Sequence, residues 1–205
     1  MSLPSLWQGG APLILASTSA TRRTLAESAS LPIATEAPGI DERAAEASVR
    51  GGGPAQIAMR LAQEKALAVS RRHPGRVVVG ADQTLACAGA LLHKPADRAA
   101  ARGQLASLSG RTHVLHSAVA IATDGIVICS FVEEARLTMR RLSADMIERY
   151  LDLAGESALQ SVGAYQLEGL GIHLFETVDG NHSTILGLPL LPLLAALREL
   201  KCLAL

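Results

Sequence analysis

The chain has 205 residues, 49% of them apolar, and its 19 basic and 19 acidic side chains cancel to zero formal charge. That balance excludes a nucleic-acid binder working by phosphate neutralisation, which would show a basic domain or stripe. Trp7, Phe131, Tyr150, Tyr165 and Phe175 are the whole aromatic set, too sparse for a platform that stacks single-stranded bases. The length is enough to bury a proper core, as one large domain or two small ones. Cys87, Cys129 and Cys202 are odd in number and far apart, so neither a disulfide framework nor a structural zinc site follows. Met1 to Gly10 lacks the basic and apolar regions of a signal peptide, and Pro189 and Pro192 interrupt the apolar C-terminal run. A soluble, cytoplasmic protein with no membrane partner is expected.

In chain order, Leu13–Ala16 reads as a strand and Thr18–Ser30 as a helix, with Ser17, Thr18 or Ser19 as N-cap. Leu31–Glu36 is extended, and Pro38-Gly39 breaks it before a loop holding Ile40-Asp41-Glu42. Gly51-Gly52-Gly53 forms a joint, and Pro54 suits the first position of a helix on which Ile57, Leu61, Lys65 and Ala68 share a stripe. Arg76–Ala81 is a strand with Asp82 at its carboxyl end, and Asp97–Leu108 a helix ended by Gly110. Val114–Ala122 and Ile126–Val132 alternate around Thr123-Asp124-Gly125, a hairpin signal. Ser143 caps a helix with Met146, Ile147, Tyr150 and Leu151 on one face. Gly169–Val178 is a further strand, Asp179-Gly180-Asn181 a turn, and Leu188–Leu200 the closing helix. Helices interleave with strands around a hairpin, which predicts an α/β protein with a mixed sheet.

The segment Ser17-Thr18-Ser19-Ala20-Thr21-Arg22-Arg23 follows the first strand and opens a helix. Hydroxyls, helix N-terminal amides and guanidinium forks converge there as an anion site. The helix dipole does not favour arginine in a first turn, so Arg22 and Arg23 are either solvated or meet an anion. Asp82, past a buried strand with no basic neighbour in sequence, suits a divalent cation, and Glu42 can join it. Mg²⁺ commonly takes one or two carboxylates plus substrate phosphates. Lys65, on its apolar stripe, either snorkels or extends its ammonium into a phosphate pocket. Lys94 lies in an extended loop because Pro95 follows it. The six histidines show no metal-ligand spacing. Gly163–Gly169 is a glycine-flanked polar loop suited to close approach of a ligand, and no P-loop sequence occurs.

Taken together and in order, these stretches resemble the Maf family of nucleotide pyrophosphatases. The resemblance rests on Leu13–Arg23, Gly39–Glu42, Gln63-Glu64-Lys65-Ala66, Val78–Gln83, His93-Lys94-Pro95, Leu108–His113, Gly163–Gly171 and Gly187-Leu188-Pro189-Leu190. It implies an elongated single domain over residues 1–205, with a central mixed sheet flanked by helices, two lobes around a nucleotide cleft and a loose tail over residues 1–12. This is the architecture of inosine-triphosphate pyrophosphatases, and the family is often homodimeric. The implied reaction converts a nucleoside triphosphate into the monophosphate and pyrophosphate, assisted by Mg²⁺, Mn²⁺ or Co²⁺. Asp82 matches the family's proton acceptor and metal-associated acid, Glu42 the acid that joins it, and Lys94 a third catalytic position. Ser17, Arg22, Arg23 and Lys65 match phosphate-binding positions.

Thr21, Gln83 and Glu168 stand at positions that set base preference. Pyrimidine-type members carry Gln where this chain has Glu168, and Thr where it has Gln83. A carboxylate only accepts, so Glu168 suits the N1–H and exocyclic amine of guanine. Gln83 also resembles the 7-methylguanosine-triphosphate branch, whereas Thr21 replaces that branch's Trp and offers no aromatic face to a methylated purine. The expected substrate is guanine-type or broadened. The rivals are a dTTP or UTP pyrophosphatase, a nucleotide-binding regulator of cell division without turnover, and a phosphatase or kinase.

Overall fold

The computed structural model describes residues 6–49 and 51–204. Its strands are β1 (Leu13–Ala16), β2 (Ile33–Thr35), β3 (Val78–Cys87), β4 (Ala90–Leu92), β5 (Thr112–Thr123), β6 (Ile126–Met139) and β7 (Phe175–Asp179). They form one sheet in the order β2-β1-β3-β5-β6-β7, with β4 attached to β3. β1 pairs in parallel with β2 and β3, while β3–β4 and β6–β7 are antiparallel, so the sheet is mixed as expected. The helices are α1 (Ala20–Ser28), α2 (Glu42–Ser48), α3 (Pro54–Ser70), α4 (Arg98–Leu108), α5 (Ala144–Ala154), α6 (His182–Ile185) and α7 (Leu190–Glu199). Among the described residues, no helix is long and apolar enough to cross a membrane.

The contacts divide the chain into two compact units. The first draws on the described residues up to Asp82, Ser117–Glu133 and those from Gly187 onward; the second on Gln83–His116 and Glu134–Leu186. Strand alternation builds the first unit. Val119 and Ile121 of β5 join a core with Leu13, Leu15, Leu188, Leu193 and Leu197. Their neighbours Ala118, Ala120 and Ala122 point the other way and meet Ala58, Ala62 and Ala66 of α3. Those helix alanines recur at every fourth residue, so one row of small side chains lies on another and the helix comes close to the sheet. Gly80 completes that approach: a Cβ there would sit 2.2 Å from the Ala62 carbonyl oxygen and 2.5 Å from the Ala66 nitrogen.

In the second unit Leu85, Leu105, Leu108, Leu137, Met139, Ile147 and Leu151 share a core with Tyr150 and Tyr165. His113 is fully buried, its Nε2 2.7 Å from the Tyr165 hydroxyl. Its Nδ1 has no hydrogen-bond partner, and an unsatisfied buried group costs about 1–3 kcal/mol. Burial also pushes the His113 pKa down from 6.5 to about 4. The unfolded chain therefore takes up this proton first as pH falls, so the histidine's contribution is whole above about pH 6.5 and lost toward pH 4. The loss amounts to about 3 kcal/mol. Urea unfolding monitored across that window should show it, and a His113→Leu variant with an equally steep decline would refute the assignment.

Several boundaries differ from the sequence expectation. The β5–β6 hairpin turns on Asp124 and Gly125, with φ of 51° and 73°, the left-handed pair of a two-residue turn, but both strands run longer than expected. Gly169–Val178 is only partly a strand, because Leu170–Leu174 winds as a 3₁₀ turn before β7. The loose opening was expected over residues 1–12; of these, 1–5 lie outside the described residues. Gln8 N–H donates to the Cys202 carbonyl, and Trp7 bridges to Leu203.

Candidate active site

β1 ends at Ala16, and the turn into α1 is built by its own hydroxyls. Ser17, buried, accepts from the Ser19 N–H at 3.1 Å, and Ser19 as N-cap accepts from the Arg22 N–H at 3.3 Å. The capped turn aims Arg22 inward, where Nε donates to the Gly187 carbonyl (2.8 Å) and Nη1 to the Ala81 carbonyl (2.9 Å). Burial pushes the Arg22 pKa down while the nearby Asp82 and Glu42 charges hold it up. Arg22 thus fastens three chain segments before any ligand arrives, with two of its five N–H groups.

Arg23 is not brought to the same place. Successive helical residues diverge by about 100°, and Arg23 is exposed, with Nε 2.8 Å from Glu27 one turn on. The structure thus does not bring Arg23 together with Arg22. Thr21 is half-buried on the same first turn.

Asp82 does not end its strand as expected. The parallel ladder with β1 closes at Ala16–Gly80, but β3 continues to Cys87 with β4 as its new antiparallel partner. The polar triplet Asp82-Gln83-Thr84 sits mid-strand, and Ala88 and Gly89, both at positive φ, make the turn into β4. Asp82 still lies just beyond the carboxyl end of β1's ladder. Glu42 differs as well: Asp41 caps a helix, accepting from the Ala44 N–H at 3.0 Å, and Glu42 is the first residue of α2 rather than part of a loop.

Lys65 joins these acids. The alanine–glycine seam carries α3 close enough for the lysine to be buried, and its Nζ is 2.5 Å from Asp82 Oδ1 and 2.7 Å from Glu42 Oε1. The snorkelling alternative does not hold; the ammonium points into a carboxylate pair. Glu42 stays 58% exposed on its side chain and Asp82 only 11%, so the pair opens to solvent on the Glu42 side. Two hard oxygen donors within reach of one nitrogen are equally within reach of one divalent ion. Among the described residues, no third His, Cys, Asp or Glu joins a metal-holding group. The donor set therefore fits Mg²⁺ or a similar ion completed by water and substrate oxygens, not an all-protein cage.

The remaining candidates belong to the second unit. Gln83, next to Asp82 on β3, points to the opposite face, where its amide nitrogen donates to the carbonyls of Thr184 (3.1 Å) and Ile185 (2.9 Å). Both amide hydrogens are so committed. Lys94 is exposed just after β4, in a segment tied to α4 by Gln104 donating to the His93 carbonyl at 2.7 Å. Glu168 is exposed in the Gly163–Gly171 loop. Sequence reading missed the close packing at Gly80, Ala62 and Ala66. A glycine inside a β-branched strand was the available signal for it.

The family profile for Maf-like proteins matches residues 12–200. The chain belongs to this family. Among its relatives, a "Nucleoside triphosphate pyrophosphatase" of Nitrobacter winogradskyi is 58% identical over 95% of this chain and 96% of its own length. A protein of the same name from Rhodopseudomonas palustris (strain BisB18) is 52% identical over 98% and 99%. A "7-methyl-GTP pyrophosphatase" of Brucella abortus is 50% identical over 93% and 96%. The two relatives named for the general reaction are thus 58% and 52% identical to this Maf-like chain, and the one named for a modified guanine nucleotide 50%.

Proposed function

We propose that this chain hydrolyses a nucleoside triphosphate to the monophosphate and pyrophosphate, with guanine-type bases such as 7-methylguanine preferred. The observation that carries the reading is the Lys65 ammonium held between Asp82 and Glu42, with the Arg22 guanidinium close enough to feel both acids. The names of the relatives support it.

Two cations and two acids leave this cluster formally neutral. A divalent ion held by Glu42 and Asp82 would supply the excess positive charge that a triphosphate needs. The chain's own groups do the rest. Ser17, Arg22 and Lys65 meet phosphate oxygens and fix the α-phosphorus for in-line attack by water. The water oxygen bonds to the α-phosphorus, the bridge to the β-phosphoryl breaks, and pyrophosphate leaves with the bond pair. Asp82, its Oδ1 held by Lys65, accepts the water's proton on its other carboxylate oxygen. Lys94, in the second unit, is proposed as a further catalytic residue on the family resemblance alone.

Base choice is assigned to Glu168, an acceptor suited to guanine's two donors; a guanine-type base is also what the name of the Brucella relative carries. Gln83, whose amide nitrogen donates to the Thr184 and Ile185 carbonyls, is proposed as a second residue of base choice. Pyrophosphate release with Mg²⁺ or Mn²⁺ across GTP, 7-methyl-GTP, UTP, dTTP, CTP and ATP tests both halves. Guanine nucleotides should lead, and Glu168→Gln should lower the guanine-over-pyrimidine ratio of kcat/KM by about ten- to a hundredfold, the worth of a charged hydrogen bond. A UTP or dTTP preference in the parent protein would keep the reaction and discard the base argument. Binding without turnover would discard the reaction.

A further inference from the structure

The Gly163–Gly171 loop is tied down from beneath at three points before its tip. Gly163 N–H donates to Gln104 Oε1 at 3.0 Å, the Tyr150 hydroxyl donates to the Ala164 carbonyl at 3.2 Å, and the Tyr165 hydroxyl is 2.7 Å from His113 Nε2. Gly163 and Ala164 have φ of 81° and 60°. Left-handed backbone is costly for alanine and persists only where the surroundings over-determine it. Beyond Tyr165 the Gln166 carbonyl accepts from both Gly169 (3.2 Å) and Gly171 (3.1 Å), closing the tip on which Glu168 stands exposed. A Cβ on Gly171 would lie 2.3 Å from that carbonyl oxygen, so the ring is tight. Tyr165 is the root between the left-handed pair and this ring, its own ring edge-on to Phe175 at 4.8 Å.

His113 is an odd choice for a core position on stability grounds. An apolar side chain would fill the space without the partnerless Nδ1. What imidazole adds is a directed hydrogen bond to one hydroxyl, beside a core made mostly of aliphatic side chains with Tyr150 and Tyr165.

We infer that His113 and Tyr165 form a buried strut that fixes the pose of the Gly163–Gly171 loop and are thereby positioning residues for base discrimination by Glu168. This rests on the pyrophosphatase reading above. The strut touches no substrate; it acts through the loop tip. Loosening it leaves the phosphate end untouched and blurs where the Glu168 carboxylate stands. Its loss therefore appears in KM and in selectivity rather than in kcat.

Tyr165→Phe deletes one oxygen and keeps the ring packing. In this variant the ratio of kcat/KM for the preferred guanine nucleotide over UTP should fall about tenfold, the worth of one buried hydrogen bond. The fall should come through KM, with kcat within about twofold. Amide hydrogen exchange over residues 166–171 should speed by a similar factor while α3 stays unchanged. His113→Gln, able to keep a bond to the hydroxyl, should retain more of the ratio than His113→Leu. Should the His113 variants fail to fold, Tyr165→Phe decides alone. An unchanged ratio with unchanged loop exchange overturns the inference, as does a loss of kcat equal for all nucleotides. Faster exchange with an unchanged ratio overturns its base-discrimination half. A parent protein that turns over no nucleotide removes the proposed function and that same half with it, while the exchange result still decides the strut.

Discussion

Asp82→Asn is expected to lower kcat/KM for pyrophosphate release by about a thousandfold or more, the scale on which a positioned proton acceptor works. The substitution preserves shape, and an amide oxygen can still accept from the Lys65 ammonium 2.5 Å away. What is lost is the negative charge and the capacity to take the proton. Glu42, 2.7 Å from the same nitrogen, remains as counter-ion. The lysine is therefore not left as a lone buried charge, the situation that makes broken ion pairs so destabilising. Unaltered circular dichroism with abolished turnover is the expected pairing of results. Near-normal turnover would remove Asp82 from the mechanism.

Gly80→Ala should be the most damaging single methyl in the first unit. The added carbon meets backbone atoms of Ala62 at 2.2 Å and Ala66 at 2.5 Å, which no side-chain rotation can relieve. Helix α3 has to recede from β3, at a cost at or above the upper end of the usual 1–3 kcal/mol for overpacking. It takes Lys65 with it, so stability and pyrophosphate release should fall together. Gly103→Ala provides the contrast, because nothing lies within 4 Å of a Cβ there and the residue is inside α4. That change should stabilise by about 0.5–1 kcal/mol. Thermal melts of the two variants decide the point; a tolerated Gly80→Ala would show that α3 is not held by this seam.

What was legible in the sequence was local. The hydroxyl-rich turn into α1 announces its own capping chemistry, and Ser19 fills the role expected of one of three residues. The turn at Asp124-Gly125 carries its backbone angles in its residue types. Failures arose where tertiary pairing overrides local pattern. Three polar residues after Ala81 look like the end of a strand until β4 folds back to pair with Leu85–Cys87. Asp41 and the run Glu-Arg-Ala-Ala-Glu-Ala after it did carry a cap and good helix formers, but the preceding Pro38-Gly39 made them read as loop. Arg22 and Arg23 are equivalent in composition and separated only by helical geometry. The company of Lys65 could not be read at all, because it depends on how close α3 comes to the sheet, set by alanines up to 64 positions apart along the chain (Ala58 and Ala122).

The neighbours Asp82 and Gln83 serve opposite faces of β3, one turned to an ammonium and the other to two carbonyls. This gives the strand something like a reading frame. Losing one valine from the run ahead of Gly80 would exchange every face downstream. An amide would then stand opposite Lys65, and the Thr84 hydroxyl, with one hydrogen to give in place of two, would face the Thr184 and Ile185 carbonyls. Length, more than composition, is what this stretch of chain has to conserve.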